Sequence, residues 1–441
     1  MSLPGVRTIL QDRFFTLTRT DVPEGSRVIG VARRGPETEP YEYTGDQEDL
    51  VDEFDSQEEV SLPDDSKTYK FGRSYYSVDT SGAEDEWTFL GKDSETPNYR
   101  PFAPRSEQTV IREFGQNSEL HRCFLEMVQG GAAQVYLLPV PSDLTDTEIA
   151  EELQLDLIFD GVELVRPDVI VLWGRGGHED ANAPVGFHSG MGTSFLRNVA
   201  RKCRDITDRS NPCFAVMGVK PAAGVDQLSA GQVANHLNDT TVFPDRDPDG
   251  IRDGQYISVV GAELRPVAYD DSYGWANGAA TYGAFASTLP SEVGATGKRV
   301  PDIEELRYGL TRPDQIKVIG KGVVPIAYDS LGRPRVVDAL TFAAPPSDYI
   351  RLSTLRIVFD AVQMVRNATE PFVGQPSTLH HRNSMETAIS SALRNMQVVG
   401  ALLGSDFVVT YLARENKAKI DLVLIPAFEM RNIEVSVAVQ L

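Results

Sequence analysis

The chain is predicted to be a multidomain protein of mixed class, an α/β part joined to an α+β part. Three observations predict it. Residues 133–219 alternate apolar, strand-like runs with a helix, and the last hundred residues hold two amphipathic helices followed by three strands. In the last of these strands Ile433, Val435, Val437 and Val439 alternate with Glu434, Ser436, Ala438 and Gln440, a period of two that runs up to Leu441. A length of 441 residues exceeds one ordinary core, so two to three domains are expected. Chain ends fray unless tied down. A β-rich apolar tail therefore needs a sheet to join, in its own subunit or in a neighbour.

Composition narrows the function. The hydrophobic fraction of 41% and charged fraction of 24% are those of a folded protein. No apolar run approaches the ~20 residues that span a bilayer, and Met1–Val6 lacks the basic region and apolar core of a signal peptide. The three cysteines, Cys123, Cys203 and Cys213, are too few and odd in number for a disulfide framework and suit a reducing compartment. A net charge of -22 argues against direct binding of nucleic acid, which needs clustered Lys and Arg. The same acidity repels other copies of the chain, so any assembly must rest on specific contacts.

Residues 1–22 read as an arm, with a turn at Pro4-Gly5 and a strand-prone run Arg13–Thr20 that carries Phe14 and Leu17. Ser26–Ala32 is β-rich and ends in the turn Arg33-Arg34-Gly35-Pro36. Composition then shifts over residues 37–104. Asp46 to Asp65 is dense in carboxylates, which reads as a solvated surface insertion; a cation site or a docking surface for a basic partner is the alternative. Tyr69, Phe71, Tyr75, Tyr76, Trp87 and Phe89 supply this insertion with a small β core.

Residues 105–220 read as α/β. A helix over Glu119–Val128 ends at Gly130-Gly131 and leads into a buried strand over Ala133–Val140. Asp168–Trp173 is a second strand, Phe195–Ile206 a helix and Cys213–Val219 a third strand, which together suggest parallel pairing. Cys123 and Cys203 fall in apolar helix stretches and read as core. Residues 220–345 are rich in Gly and loops, with a helical turn expected at Asp302–Leu306 and strands at Val318–Tyr328 and Arg335–Phe342. A helix follows over Tyr349–Asn367, with Leu352, Leu355, Val358, Val362 and Val365 on one face. Pro371 and Pro376 bracket a break. A second helix over Ser384–Leu403 has Gly404 as its expected cap, and strands are predicted at Phe407–Leu412, Ile420–Ile425 and Ile433–Val439.

No catalytic constellation emerges. Asp245, Asp247 and Asp249 before Gly250 fit the first half of a calcium loop, and Asp253 falls at the ninth position, but Tyr256 holds the place of the bidentate carboxylate. An acidic surface turn is the preferred account of them, so no metal site is expected. Gly174-Arg175-Gly176-Gly177, Gly190-Met191-Gly192 and Gly294-Ala295-Thr296-Gly297-Lys298 lack the complete spacing of a dinucleotide or phosphate loop. The six histidines show no i, i+4 pair, and His380-His381 are placed in the loop between the last two helices. There is no Gly-x-Ser-x-Gly elbow.

Several stretches together resemble the contractile phage tail sheath family. They are Pro4-Gly5-Val6, then Val28–Pro36, then Phe114-Gly115 with the following helix, Gly130-Gly131 and the strand Gln134–Val140. The closing segment matches best: the helix from Tyr349, Glu370-Pro371-Phe372, the helix ending in Gly400-Ala401-Leu402, Ile425-Pro426 and the strand Ile433–Val439. The acidic 37–104 segment departs from the common pattern.

The resemblance implies a structural subunit, not an enzyme, without cofactor. It would polymerise with itself as stacked hexameric rings around a tail tube protein, between baseplate and tail terminator proteins, and contract to drive the tube through the host envelope. It would be part of a virion tail assembled in the host cytoplasm, without membrane insertion. The implied domains are an arm at 1–22, an outer α/β part at 23–36 and 105–344, the insertion at 37–104, an inner α+β domain at 345–429 whose sheet is completed by neighbours' arms, and a strand arm at 430–441. Strand exchange would involve Phe14, Leu17, Ile433, Val435, Val437 and Val439; Arg366, Arg382 and Arg394 would contact the tube or lie on a solvated helix face. A bacterial contractile injection system is the alternative within this class, and an α/β hydrolase or nucleotide-binding enzyme the alternative outside it.

Overall fold

The computed structural model describes residues 26–33, the strand backbones at 68–71, 74–79 and 86–92, and residues 98–429 apart from 173–191, 219–252, 270–274 and a few shorter gaps. Strand β1 (Arg27–Arg33) is an apolar run buried on both faces. Strands β2 (Thr68–Phe71), β3 (Ser74–Asp79) and β4 (Glu86–Lys92) form an antiparallel meander, the β core expected within the insertion.

Helices α1 (Glu107–Phe114) and α2 (Glu119–Gln129) start at serine caps. The Ser118 hydroxyl accepts the His121 backbone N–H at 3.1 Å, which satisfies one of the free donors of the first turn. Gly131, at φ 93°, takes a left-handed conformation that other residues resist, and strand β5 (Gln134–Val140) follows. Then come α3 (Asp146–Ile149), α4 (Glu152–Val165), β6 (Val169–Leu172), α5 (Gly192–Arg209), β7 (Phe214–Gly218), a 3-10 turn at Gly254–Tyr256 and β8 (Ile257–Val260). Strand β9 (Leu264–Pro266), helix α6 (Ala279–Thr288), strand β10 (Ile303–Leu306), helix α7 (Arg312–Gly320) and strands β11 (Val323–Val324), β12 (Ile326–Tyr328) and β13 (Pro334–Val336) complete this part.

One six-stranded sheet, in the order β11-β8-β7-β6-β1-β5, organises the core, and every pairing in it is parallel. Such strands are covered on both faces and so read as continuous apolar runs: Val169–Leu172 and Phe214–Met217 are at most 3% exposed. Order reverses at β1, which pairs β5 on one side and β6 on the other. Helix α6 is buried along almost its whole length, and Gly283 lets it approach the sheet; a Cβ there would lie 3.2 Å from Val171. Strands β1, β6 and β7 are neighbours and parallel, so their carboxyl ends share one end of the sheet.

Four sequence expectations are corrected. Asp302–Leu306 is not a helical turn: β10 pairs antiparallel with β9. A register shift between Ile303 and Glu305 turns both Glu304 and Glu305 outward and both Ile303 and Leu306 inward, which imitates helical spacing. Val318–Tyr328 is not one strand. Its start belongs to α7, capped where the Thr311 backbone N–H donates to Asp314 at 3.2 Å, and Pro325 separates β11 from β12. Residues 220–345, read as loop-rich, contribute two strands of the main sheet. Of Arg335–Phe342 only the beginning is strand, in β13.

The last two helices are α8 (Leu352–Thr369) and α9 (Leu379–Val398), separated by a 3-10 turn at Glu370–Phe372. Thr378 caps α9, its hydroxyl accepting the His381 N–H at 3.3 Å, so His380 and His381 stand in the first helical turn and not in a loop. The helix ends at Val398 with Gly400 at φ 83°; Gly404, the expected cap, lies in a strand. Two long strands close the described chain, β14 (Leu402–Leu412) and β15 (Lys417–Pro426).

Candidate assembly surface

Helix α8 joins the C-terminal unit to the sheet. Leu352, Leu355, Val358, Val362 and Val365 are at most 2% exposed. Phe359 stacks on Tyr256, just ahead of β8, with ring centroids 6.2 Å apart. Arg356 donates to the carbonyl of Leu289, beyond the end of α6, and Arg366 Nη2 lies 3.5 Å from the carbonyl of Thr207, near the end of α5. The Ser26 hydroxyl, next to the start of β1, donates to Ser287 at 3.1 Å. These contacts place α8 at the amino ends of the sheet strands.

Helix α9 packs on α8 through Met385, Ile389, Ala392, Leu393 and Met396, at helical spacing. The hairpin β14–β15 lies against α9, burying Leu402, Leu422 and Leu424. Its other face is open: Leu403 is 63% exposed, Val408 60%, Val423 47% and Ile425 55%. Ten residue pairs from Leu402↔Pro426 to Leu412↔Lys417 hold the two strands together, and among the described residues neither strand pairs with any other. Each strand therefore carries one edge able to template a further strand. A two-stranded sheet is marginal alone and gains stability from added strands.

Of the expected tube contacts, Arg366 is corrected. It is 6% exposed, and burial pulls its pKa down to about 10 against the opposing pull of Asp208. Val362, Val365 and Thr369 on the same face are buried with it, so it belongs to the core side of α8 and is neither a surface contact nor a solvated residue. Arg382 lies over the Tyr411 ring, 4.3 Å from its centroid, and donates to Ser377 at 2.9 Å. Tyr411 in turn donates to Glu386 at 3.0 Å; burial and Glu386 push its pKa up to about 12. Arg382 thus fastens α9 to β14. Arg394 is exposed on α9.

Phe14, Leu17, Ile433, Val435, Val437 and Val439, expected in strand exchange, lie outside the described residues, as do Asp245, Asp247 and Asp249 of the calcium-like run. Asp253, its ninth position, accepts from Arg204 at 2.8 Å. Among the described residues no group of three His, Cys, Asp or Glu could hold a metal ion, and no helix is long and apolar enough to cross a membrane. Cys123, Cys203 and Cys213 are free and buried, and burial pushes the thiols of Cys123 and Cys203 up, away from nucleophilic use. In doubly wound sheets ligands bind beyond the carboxyl ends of strands where the order reverses. At that point of β1, Arg33 donates its backbone N–H to Glu119 at 2.9 Å and its Nε to the Leu144 carbonyl at 3.1 Å, so its polar groups are engaged internally.

The exposed face of β14–β15 was only partly foreseen. Val408, Val423 and Ile425 lie within the predicted strands, but Leu402 and Leu403 are read as the helix end and Gly404 as its cap. The signal available was the apolar pair Leu402-Leu403 beyond Gly400.

The fold of the chain is similar to that of contractile-sheath proteins. Three solved structures carry this fold over essentially the whole chain. The anti-feeding prophage baseplate, 6-fold symmetrised, contains a chain 13% identical, with 100% of each chain covered and a TM-score of 0.57. The helical sheath of the anti-feeding prophage in its contracted state is 14% identical, with 99% of each chain covered and a TM-score of 0.53. The sheath complex of an extracellular contractile injection system, also contracted, is 11% identical, with 99% of this chain and 98% of the other covered and a TM-score of 0.56. These neighbours are structural proteins, not enzymes. No family model and no curated protein sequence matches the chain.

Proposed function

We propose that the chain is the subunit of a contractile sheath, polymerising around a tube and contracting to drive it into a target envelope. The observation that carries this reading is the likeness to sheath chains over 98–99% of both partners. Stacked hexameric rings, a tube protein inside, baseplate and terminator proteins at the ends, and assembly in a host cytoplasm complete the proposal. The domain scheme of an inner unit at 345–429, an outer part at 23–36 and 105–344, and the 37–104 insertion belongs to it as well.

Neighbouring copies would be linked by strand addition at the edges of β14 and β15, with Ile433, Val435, Val437 and Val439 of one arm and Phe14 and Leu17 of the other supplying alternate side chains. Main-chain hydrogen bonds would keep the lattice connected while the body of each subunit moves as a rigid unit. Arg394 remains the tube-contact proposal, with Arg382 contributing from the start of α9. The sheath of a bacterial contractile injection system is the second reading beside a phage tail sheath, supported by solved neighbours from an anti-feeding prophage and an extracellular contractile injection system.

Negative-stain microscopy of the full chain and of a chain lacking 430–441 tests the proposal. Tubes or rings that disappear on truncation are expected. Unchanged assembly without those residues rules out strand addition by the C-terminal arm.

A further inference from the structure

We propose that Glu429 is a clamp that fixes where the C-terminal arm leaves its own subunit; this rests on the strand-addition reading above. Glu429 lies three residues beyond β15. Its Oε2 accepts from the Thr296 hydroxyl at 2.9 Å, and that hydroxyl oxygen accepts the Ala339 backbone N–H at 3.0 Å. The carboxylate lies over Gly294: a Cβ there would sit 1.6 Å from Oε1 and 2.3 Å from the carboxyl carbon. The space left by the missing side chain is thus filled by this acid.

The cradle belongs to the loop after α6, on the sheet side of the molecule. Ala295 is 3% exposed, and the Gly297 N–H donates to Val336 at 2.8 Å. A second tie lies two residues earlier, where the Ala427 N–H donates to the Ala401 carbonyl at 2.9 Å. Between the two ties Phe428 is 79% exposed. The chain is therefore held to the hairpin at 427 and to the sheet-bearing body at 429, and residues 430–441 start from a point set by both.

A tethered strand binds a neighbour better when its starting point is fixed, because less ordering is left to be done on association. Glu429 is a positioning residue in this sense and need not touch the neighbour. Gly294→Ala is the selective probe. The new methyl group would meet the far end of a flexible side chain, so the carboxylate can swing out while the loop backbone stays in place. Glu429→Ala removes the acid by an independent route, and Glu429→Gln keeps an oxygen that can accept from Thr296.

The test measures amide hydrogen exchange over residues 424–429 in the unassembled full-length chain, and the protein concentration at which tubes form. Gly294→Ala and Glu429→Ala should each speed exchange about fivefold or more, and the double variant should add little to the larger single effect. Both should raise the assembly threshold, whereas Glu429→Gln should stay within about twofold of the parent chain in both readouts. Exchange or assembly unchanged in Gly294→Ala and Glu429→Ala, while removal of 430–441 abolishes tubes, overturns the clamp and leaves strand addition standing. Tubes that persist without 430–441 overturn strand addition, and the clamp's assembly role with it.

Discussion

A methyl group at Gly254 would sit 2.5 Å from the carbonyl oxygen of Phe342, and backbone cannot move aside as a side chain can. Gly254→Ala is therefore expected to destabilise the chain by about 1–3 kcal/mol, as other overpacked sites do, in a urea titration followed by circular dichroism. Tyrosines give a second residue-scale prediction. Burial raises the pKa of Tyr256 and Tyr269, and that of Tyr411 rises to about 12. In the unfolded chain they would ionise near ~10. Above that pH the unfolded state loses protons that the folded state keeps, so stability present below pH ~10 should fall as pH rises towards 12. Thermal midpoints measured across that range check it. Arg366 shows what residue type conceals. Its spacing with Val362, Val365 and Thr369 marks it as a member of the buried stripe, but a positive charge in a helix is ordinarily read as a surface residue.

At the scale of elements, periodicity decided what was legible. Helices α8 and α9 and the strands β5, β6 and β7 could be read because long apolar runs at one period leave one solution. Strand β10 was misread because its bulge reproduces helical spacing, and α7 because its start signal, Thr311 with Asp314 and a proline in the first turn, is short. The hairpin β14–β15 separates folding from assembly. Its inner face carries Leu422, fully buried, so Leu422→Ala should cost about 2–5 kcal/mol in unfolding measurements. Its outer face carries Val423 and Ile425, about half exposed. Val423→Lys with Ile425→Lys should change monomer stability by no more than about 0.5 kcal/mol per site while suppressing tube formation. Light scattering of the folded variant is the check.

At the scale of the molecule, the parallel sheet has two unlike ends. Helix α8 lies at the amino end of its strands, with α9 and the hairpin packed beyond it, and the carboxyl ends of β1, β6 and β7 lie at the other. Parallel pairing was foreseen from the succession of strands and helices between 133 and 219, but the participation of β8 and β11 was hidden, since strands of four and two residues among glycines carry little periodicity. Partners were not legible from composition at all; a net charge of -22 argues only that copies must meet through specific contacts. The hairpin, whose outer edges are unpaired among the described residues, is the feature proposed to supply such contacts.

Interchain cross-linking tests this account most directly, because the three native cysteines are buried. Chains carrying Val437→Cys are mixed with chains carrying Val408→Cys or Val423→Cys, assembled, and oxidised. Covalent dimers that form in assembled tubes and not in the unassembled mixture are the predicted result. A chain carrying both Val437→Cys and either hairpin cysteine that closes on itself as a monomer, with no interchain product from the mixtures, would contradict it.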